Sequence, residues 1–335
     1  MIYSSVDNPG LVKVLQFLQT HNTEYLSGQD LSDVLRISRV AVWKYIKKIQ
    51  ELGYTVESKK KRGYKLTANS DALLPWEIKP GLRTKFIGRQ IYYYDSIDST
   101  QNQALKLADN IENNGVMVVA ARQTGGKGRL GRAWISPEGG IWLSIILHPK
   151  FDISITTLFP IASALALSKA VEKLFKVSPE LKWPNDLTIK GKKLAGMLVD
   201  VSMESNKIES LVLGVGINFD VNVKYVEKSL RGNSNYYGVA SLGEQNKKIK
   251  PVRLVQTFLV ELEKIYELLS TKQTSKIISE WTKRSSTIGK TVEIQTNHEK
   301  IKGKAVKIDE EGALIVSENG RTDRIIAGDI IHLAK

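Results

Sequence analysis

The densest run of chemically capable residues lies mid-chain, at Gln123-Thr-Gly-Gly-Lys-Gly-Arg-Leu-Gly-Arg132. These ten positions hold four glycines, three cations and no acid. Glycine lets backbone N–H groups come close to an anion, and Lys127, Arg129 and Arg132 supply countercharge. A mobile cationic loop is costly to order unless it closes on a ligand. The segment therefore predicts a phosphate-binding loop that follows an apolar strand. It is not a Walker A loop. Ala121 stands where that pattern needs its first glycine, and Gly128 where it needs Ser or Thr.

Four other segments place polar groups beside apolar runs. Asp98-Ser99-Thr100-Gln101 opens a helix, and capping accounts for one hydroxyl but not the set. Lys182-Trp183-Pro184-Asn185-Asp186 closes a strand with groups suited to a hydroxyl or a Mg²⁺-bound water, although taken alone the segment reads better as a simple turn. Lys192-Lys193-Leu194-Ala195-Gly196 sets two cations before an apolar strand. Leu213-Gly-Val-Gly-Ile-Asn218 is a strand with paired glycines, of the form GxGxxF with no acidic partner, and so a weak dinucleotide signal. The chain has no cysteine, which excludes disulfides, thiolate catalysis and Cys-based zinc sites. Its four histidines are scattered without metal-ligand or triad spacing.

The first 70 residues read as a different machine. Ser27 is an N-cap with Asp30 at the third helical position, and that helix should run to about Leu35. A short turn leads to Ser38, a second N-cap, and a helix over about 39–52 that closes at Gly53. Val42, Ile46 and Ile49 face inward, while Arg39, Trp43, Lys44 and Lys47 fall largely on other faces. Two short strands, 54–58 and 64–67, flank the turn Lys59-Lys60-Lys61-Arg62-Gly63. This is a winged helix-turn-helix. Residues 36–65 hold ten cations and two acids, net +8, whereas residues 1–35 are net −3. Clustered charge predicts a polyanion, with Ser38, Arg39, Trp43, Lys44 and Lys47 reading DNA and Lys60, Lys61 and Arg62 on its backbone. A solvated basic face or a protein-binding winged helix is the competing reading.

These segments must be carried by a chain of 335 residues, 42% hydrophobic and 25% charged, with 49 Lys/Arg against 35 Asp/Glu, net +14. That composition is globular rather than disordered. No 18-residue apolar run and no signal peptide are read, so the expectation is a soluble cytoplasmic protein without membrane contact. Apolar runs at 116–121, 141–147, 194–201 and 211–217 alternate with helical patterns at 101–109, 156–176, 251–270 and 275–284. The fold class is α+β, with a mixed sheet at the centre. Short strands with glycine turns over 286–335 predict a small SH3-like barrel. The domain boundaries expected are 1–70, 71–285 and 286–335.

Taken together and in order, the loop Gly126-Lys-Gly-Arg-Leu-Gly-Arg132 with Trp134, Asp98-Ser-Thr100, Lys182-Trp-Pro-Asn-Asp186, Lys193-Leu-Ala-Gly196 and Gly214-Val-Gly-Ile-Asn218 resemble the biotin protein ligases. The match is to the long form that doubles as the biotin operon repressor. The resemblance implies that ATP activates biotin as biotinyl-5′-AMP, with Mg²⁺ near Asp186. Biotin then passes to a lysine of a biotin carboxyl carrier protein. It further implies Ser99, Thr100, Gln101, Gln123, Lys127, Gly128, Arg129 and Lys193 at biotin, and Arg129, Arg132, Trp134, Asn185, Asp186 and Asn218 at the nucleotide. Lys193 and Arg129 would be catalytic. Where the family often has Asn, this chain has Gln101 followed by Asn102, leaving open which amide meets biotin. Lys127 replaces a frequent Arg, which keeps the charge but loses bidentate geometry. Repression implies operator DNA and a homodimer promoted by biotinyl-AMP. The alternatives are a ligand-sensing repressor without ligase activity and a lipoate-type acyl ligase.

Overall fold

A computed structural model describes residues 8–205, 207–230, 237–246, 248–296 and 299–333. Three helices lead: α1 (Pro9–Thr20), α2 (Gly28–Leu35) and α3 (Arg39–Glu51). Ser27 caps α2 in a reciprocal capping box with Asp30, and Ser38 caps α3 through Ala41 N. Leu11, Val14, Leu15, Leu18, Leu31, Val42, Ile46 and Ile49 form the shared core. The wing pairs β1 (Thr55–Lys59) with β2 (Gly63–Ala68) in antiparallel register, and Leu26 adds a bridge to Tyr64. At Gly63 the φ is +107°, and a Cβ there would stand 2.0 Å from Leu26 O. Only glycine lets the wing lie against that bridge.

Side chains of this unit bond to the helix α4 (Pro75–Ile78), which begins the central part of the chain. The Tyr54 hydroxyl donates to Glu77 and accepts from Trp76 Nε1 at 2.7 Å, both partners lying on α4. Gln19 Nε2 also reaches Glu77, at 3.3 Å.

The central layer is a seven-stranded sheet in the order β3-β4-β5-β9-β8-β7-β6. Its strands are β3 (Ile91–Ile97), β4 (Met117–Gln123), β5 (Ile141–Leu147), β6 (Glu180–Lys182), β7 (Asp186–Ile189), β8 (Lys192–Glu204) and β9 (Lys207–Ile217). β3 and β4 are parallel, and every other adjacent pair is antiparallel. Just before β3, the buried Glu263 carboxylate accepts from the backbone N–H groups of Lys85, Phe86 and Ile87 at 2.6–3.2 Å. A buried carboxylate so satisfied fixes where β3 enters the sheet.

One sheet face is covered by α6 (Ile155–Phe175), with α9 (Thr274–Arg284) against β6 and α8 (Pro251–Ser270) packed on α6; the shorter α7 (Val223–Ser229) comes after β9. The other face carries α5 (Thr100–Leu107), seated on Val118, Ile146 and Val212 through Ala104 and Ala108. Period-2 alternation splits β4 between the layers: Val118 points to α5, while Met117 and Val119 enter the main core. α6 is apolar enough and long enough to cross a membrane, which the apolar-run reading of the sequence did not register. In this fold 72% of its most apolar window is buried in protein.

The tail forms β10 (Thr291–Gln295), β11 (Lys300–Ile308), β12 (Leu314–Glu318), β13 (Arg321–Ile325) and β14 (Asp329–His332). They make an antiparallel sheet in the order β13-β12-β11-β10-β14. The five strands fit the SH3-like unit expected of the tail, and among the described residues β13 and β14 are not bonded to each other, so its barrel is not closed. It docks through Trp183, whose Nε1 donates to Gly312 O at 3.1 Å and whose N donates to Thr287 Oγ1 at 3.1 Å. Thr287 Oγ1 is also 3.2 Å from His332 Nε2. Burial, then Lys182 and Lys290, push the His332 imidazole from 6.5 down to about 4. Between those values the unfolded chain holds a proton that the folded one rejects, so stability falls as pH drops through about 6.5 to 4. We expect thermal melts over that window to lose stability on acidification. His332→Gln should flatten the slope, and equal slopes in both proteins would refute the assignment.

Candidate active site and nucleic-acid interface

A cavity opens on the α5 face where β9 runs past the end of that helix. Val212, Gly214 and Gly216 share this face by alternation; Val212 is covered by α5, and the two glycines are not. A Cβ on Gly214 would stand 2.5 Å from Gln101 Oε1, and one on Gly216 would stand 2.5 Å from Trp134 Nε1. The paired glycines, a weak dinucleotide signal in the sequence, are therefore clearance for two large side chains.

The floor is a buried polar network. Ser99 caps α5, and Thr100 donates from both N and Oγ1 to Gln123 Oε1, at 2.7 and 3.0 Å. Gln123 Nε2 donates to Ser136 Oγ at 2.9 Å, so its amide orientation is set from both ends. Ser144 Oγ lies 3.0 Å from Thr100 Oγ1 and 2.9 Å from Gln101 Oε1. Gln101 Nε2 donates to Asp200 Oδ2 and Val212 O. Between the two amides left open by the sequence, Gln101 lines the cavity, whereas Asn102 turns away and donates to Asp98 Oδ2 at 2.7 Å. With its amide already partnered, Gln101 shapes the floor rather than offering a free donor.

The loop after β4 doubles back on itself beside the cavity, which its residues 127–129 and 132–134 line. Trp134 N donates to Gly126 O at 2.9 Å, and Gly128 N to Arg132 O at 2.7 Å. Its tip is a single 3₁₀ turn, Arg129–Gly131, with Leu130 in the left-handed region. The sequence suggested a loop that orders on its ligand; in the structure two backbone rungs already close it. Arg129 Nη1 donates to Asn185 Oδ1 at 3.3 Å, bridging loop and β6–β7 hairpin. Asn185 Nδ2 in turn donates to Met197 O at 2.6 Å. The Trp183–Pro184 bond is cis, and the segment is a hairpin turn between two strands rather than the end of one.

Lys193 enters from β8. Its Nζ lies 2.7 Å from Asp186 Oδ1 and 5.1 Å from the Trp134 ring centre. Asn218 Nδ2 donates to Lys193 O at 3.3 Å, holding the strand beneath it. Lys127, Arg129, Arg132, Lys182 and Lys193 all line the cavity, against Asp186 as the one lining carboxylate among the described residues. Five cations facing one acid create a strongly anion-selective field. Trp134 Nε1 is buried without a hydrogen-bond partner among the described residues, a donor left aimed within the site.

Sequence reasoning missed Tyr237. Its hydroxyl donates to Asp186 Oδ2 at 2.6 Å, and its ring lies 3.5 Å from Lys182 Nζ. Burial, then the Asp186 charge, hold the phenol well above its ordinary value. No local pattern marks a tyrosine some 51 residues from its partner. Ser136, Ser144, Gly328 and Ile330 also line or support the site without a sequence signal; the last two come from the tail, at the turn before β14 and on β14 itself. The residues do not make a metal centre. Both Asp186 oxygens are already engaged, and no cluster of three or more acids or histidines exists among the described residues.

On the N-terminal unit, Arg39, Trp43, Lys44 and Lys47 lie on α3 away from its packed side, while Ser38 is spent on capping. Lys60, Lys61 and Arg62 are exposed at the wing tip. The fourth cation there, Lys59, is held by Glu57 at 3.4 Å and by the Tyr25 ring at 4.8 Å.

Comparison with known proteins agrees with this division of labour. Residues 93–218 match the Biotin/lipoate A/B protein ligase family, residues 11–65 an HTH domain, and residues 287–333 the Biotin protein ligase C terminal domain. The chain is 34% identical to the bifunctional ligase/repressor BirA of Bacillus subtilis over 95% of its own length and 97% of that protein. It is 27% identical to the bifunctional ligase/repressor BirA of Escherichia coli, covering 97% of each. Among solved structures, a biotin protein ligase from Aquifex aeolicus in complex with biotin and ATP superposes with a TM-score of 0.61 at 25% identity, covering 72% of this chain and 98% of that one. The chain belongs to the bifunctional ligase/repressor family of biotin protein ligases.

Gly216→Val should drive the Trp134 indole out of its seat. Ligand affinity at this cavity should fall more than ~10-fold, about 1.4 kcal/mol, while the exposed N-terminal unit keeps its fold. Calorimetry with the adenylate would detect it, and unchanged affinity would show that Trp134 has no part in binding.

Proposed function

We propose that this chain is an ATP-dependent biotin protein ligase that makes biotinyl-5′-AMP, transfers biotin to a lysine of a biotin carboxyl carrier protein, and represses transcription by binding operator DNA. The observation that carries the reading is the polar-floored cavity ringed by five cations and one carboxylate. A carboxylate attacking a triphosphate brings like charges together, and only a site of this polarity makes that approach favourable.

In the first step a biotin carboxylate oxygen bonds to the α-phosphorus and the bond to the β-phosphate oxygen breaks, releasing pyrophosphate. Ser99, Thr100 and Gln123 would hold the head of biotin on the floor that Gln101 shapes, with Lys127, Gly128, Arg129 and Lys193 around its carboxylate. Lys193, held beside Asp186, would offset charge at the reacting phosphorus. Arg132, Trp134, Asn185, Asp186 and Asn218 would serve the nucleotide. Mg²⁺ enters as part of the nucleotide substrate, since the described residues offer no centre of their own. In the second step a neutral lysine amine adds to the mixed anhydride carbonyl, AMP departs, and the amine proton is lost to solvent. The loop whose residues line the cavity would fold over the bound adenylate and keep water from the anhydride meanwhile.

The cations of α3 and the wing support DNA binding, in a homodimer formed on biotinyl-AMP with the work done in the cytoplasm. The same reading divides the chain at 1–70, 71–285 and 286–335. Incubation with biotin, Mg·ATP and a carrier domain should label the carrier. Failure there with biotin-dependent DNA binding would favour a ligand-sensing repressor, and transfer of lipoate instead would favour the other alternative. Lys193→Ala should slow pyrophosphate release by about 10²-fold, on the scale of losing one charge-stabilising donor. Arg129→Gly should leak biotinyl-AMP and label lysines indiscriminately. Normal pyrophosphate release in the first, or full retention in the second, would overturn the respective role.

A further inference from the structure

The recognition face of α3 pairs its cations with two large apolar side chains. Val40 is 64% exposed and Trp43 is 51% exposed, on the surface of a helix whose opposite side is fully packed. At ~100° per residue, Arg39, Trp43, Lys47, Val40 and Lys44 fall at about 0°, 40°, 80°, 100° and 140° around the axis. Val40 and Trp43 thus lie inside the arc, with Arg39 and Lys44 at its edges. Lys47 stands one turn further along, its Nζ 5.5 Å from the Trp43 ring centre. The only acid on α3 is Glu51, at its far end.

A helix in the major groove meets base edges at the centre of its exposed face and phosphates at the flanks. Arg39 and Lys44 at the edges match the phosphate flanks, and Val40 and Trp43 share the base-facing centre with Lys47, which stands one turn further along. The one apolar group that the groove presents is the thymine C5-methyl. We propose that Val40 and Trp43 are specificity residues that read thymine methyl groups in the operator half-site. The proposal rests on the DNA-binding reading above and adds the base class to it. Both side chains are exposed, and the ring contact of Trp43 among the described residues is with Lys47, itself on the same face.

The test starts from duplexes selected by the full-length protein, with biotin and Mg·ATP present, out of a random pool. Each thymine of the retained half-site is then replaced by deoxyuridine, which deletes one methyl and leaves base pairing intact. At one or two positions affinity should fall about fourfold, the equivalent of ~0.8 kcal/mol for one buried methyl-sized group. In Val40→Ala or Trp43→Ala, the same replacement should have no effect at the position that side chain reads. Both residues are exposed, so both variants keep the helix core. Sequence-selective binding with no loss at any deoxyuridine would overturn the methyl assignment and leave DNA binding standing. So would losses that persist unchanged in both variants. Retention of no sequence above random would overturn both.

Discussion

Two missing side chains hold this site open. β9 passes under α5 with a valine and emerges with Gly214 and Gly216, and the space those glycines vacate is taken by Gln101 and Trp134. Everything else in the cavity is placed relative to that pair. Gln101 ties Ser144 to Asp200 and β9, and so registers the start of α5 on the sheet. Trp134 registers the cationic loop, since the residues before it fold back on its backbone at Gly126. The constraint is steric and local, and it fixes the polar floor and the charged lid at once.

Charge is the second organising influence. The five lining cations are not stacked in one place: three come with the loop, one from the end of β6 and one from β8. Asp186 sits among them as a counterweight, shared between Lys193 and Tyr237. It holds Lys193 within the cavity while leaving the net field positive. Repulsion within the ring is offset by hydrogen bonds such as Arg129 to Asn185, and a polyanionic ligand would relieve the rest.

Much of this is legible in the sequence, for identifiable reasons. Helix ends at Ser27 and Ser38 are set by short-range capping, which needs only three neighbouring residues. The β5 run, 141–147, is apolar at all but one position, and its boundaries in the sequence and in the fold coincide. β3 escapes such a reading, because Tyr92-Tyr93-Tyr94-Asp95 does not give an apolar run; it is an edge strand whose Asp95 is exposed. The cationic loop announces itself by composition, but its closure by two rungs depends on the packing of Gly126 against Trp134 O, which no spacing rule encodes. Tyr237 and the tail residues Gly328 and Ile330 reach the site through tertiary folding alone. The open tail sheet differs from the closed barrel because strand count is local while closure is not.

The join at Tyr54 has a mechanical consequence. Its hydroxyl sits between Glu77 and Trp76, so the reading helix is bolted to the enzyme body instead of hanging from a tether. Each of those bonds opposes a swivel of the head toward a misaligned target. Where two such molecules grip one duplex, each extra base pair between their half-sites rotates the second by about 34–36°. The protein would have to strain that bolt, or twist the duplex, to keep hold.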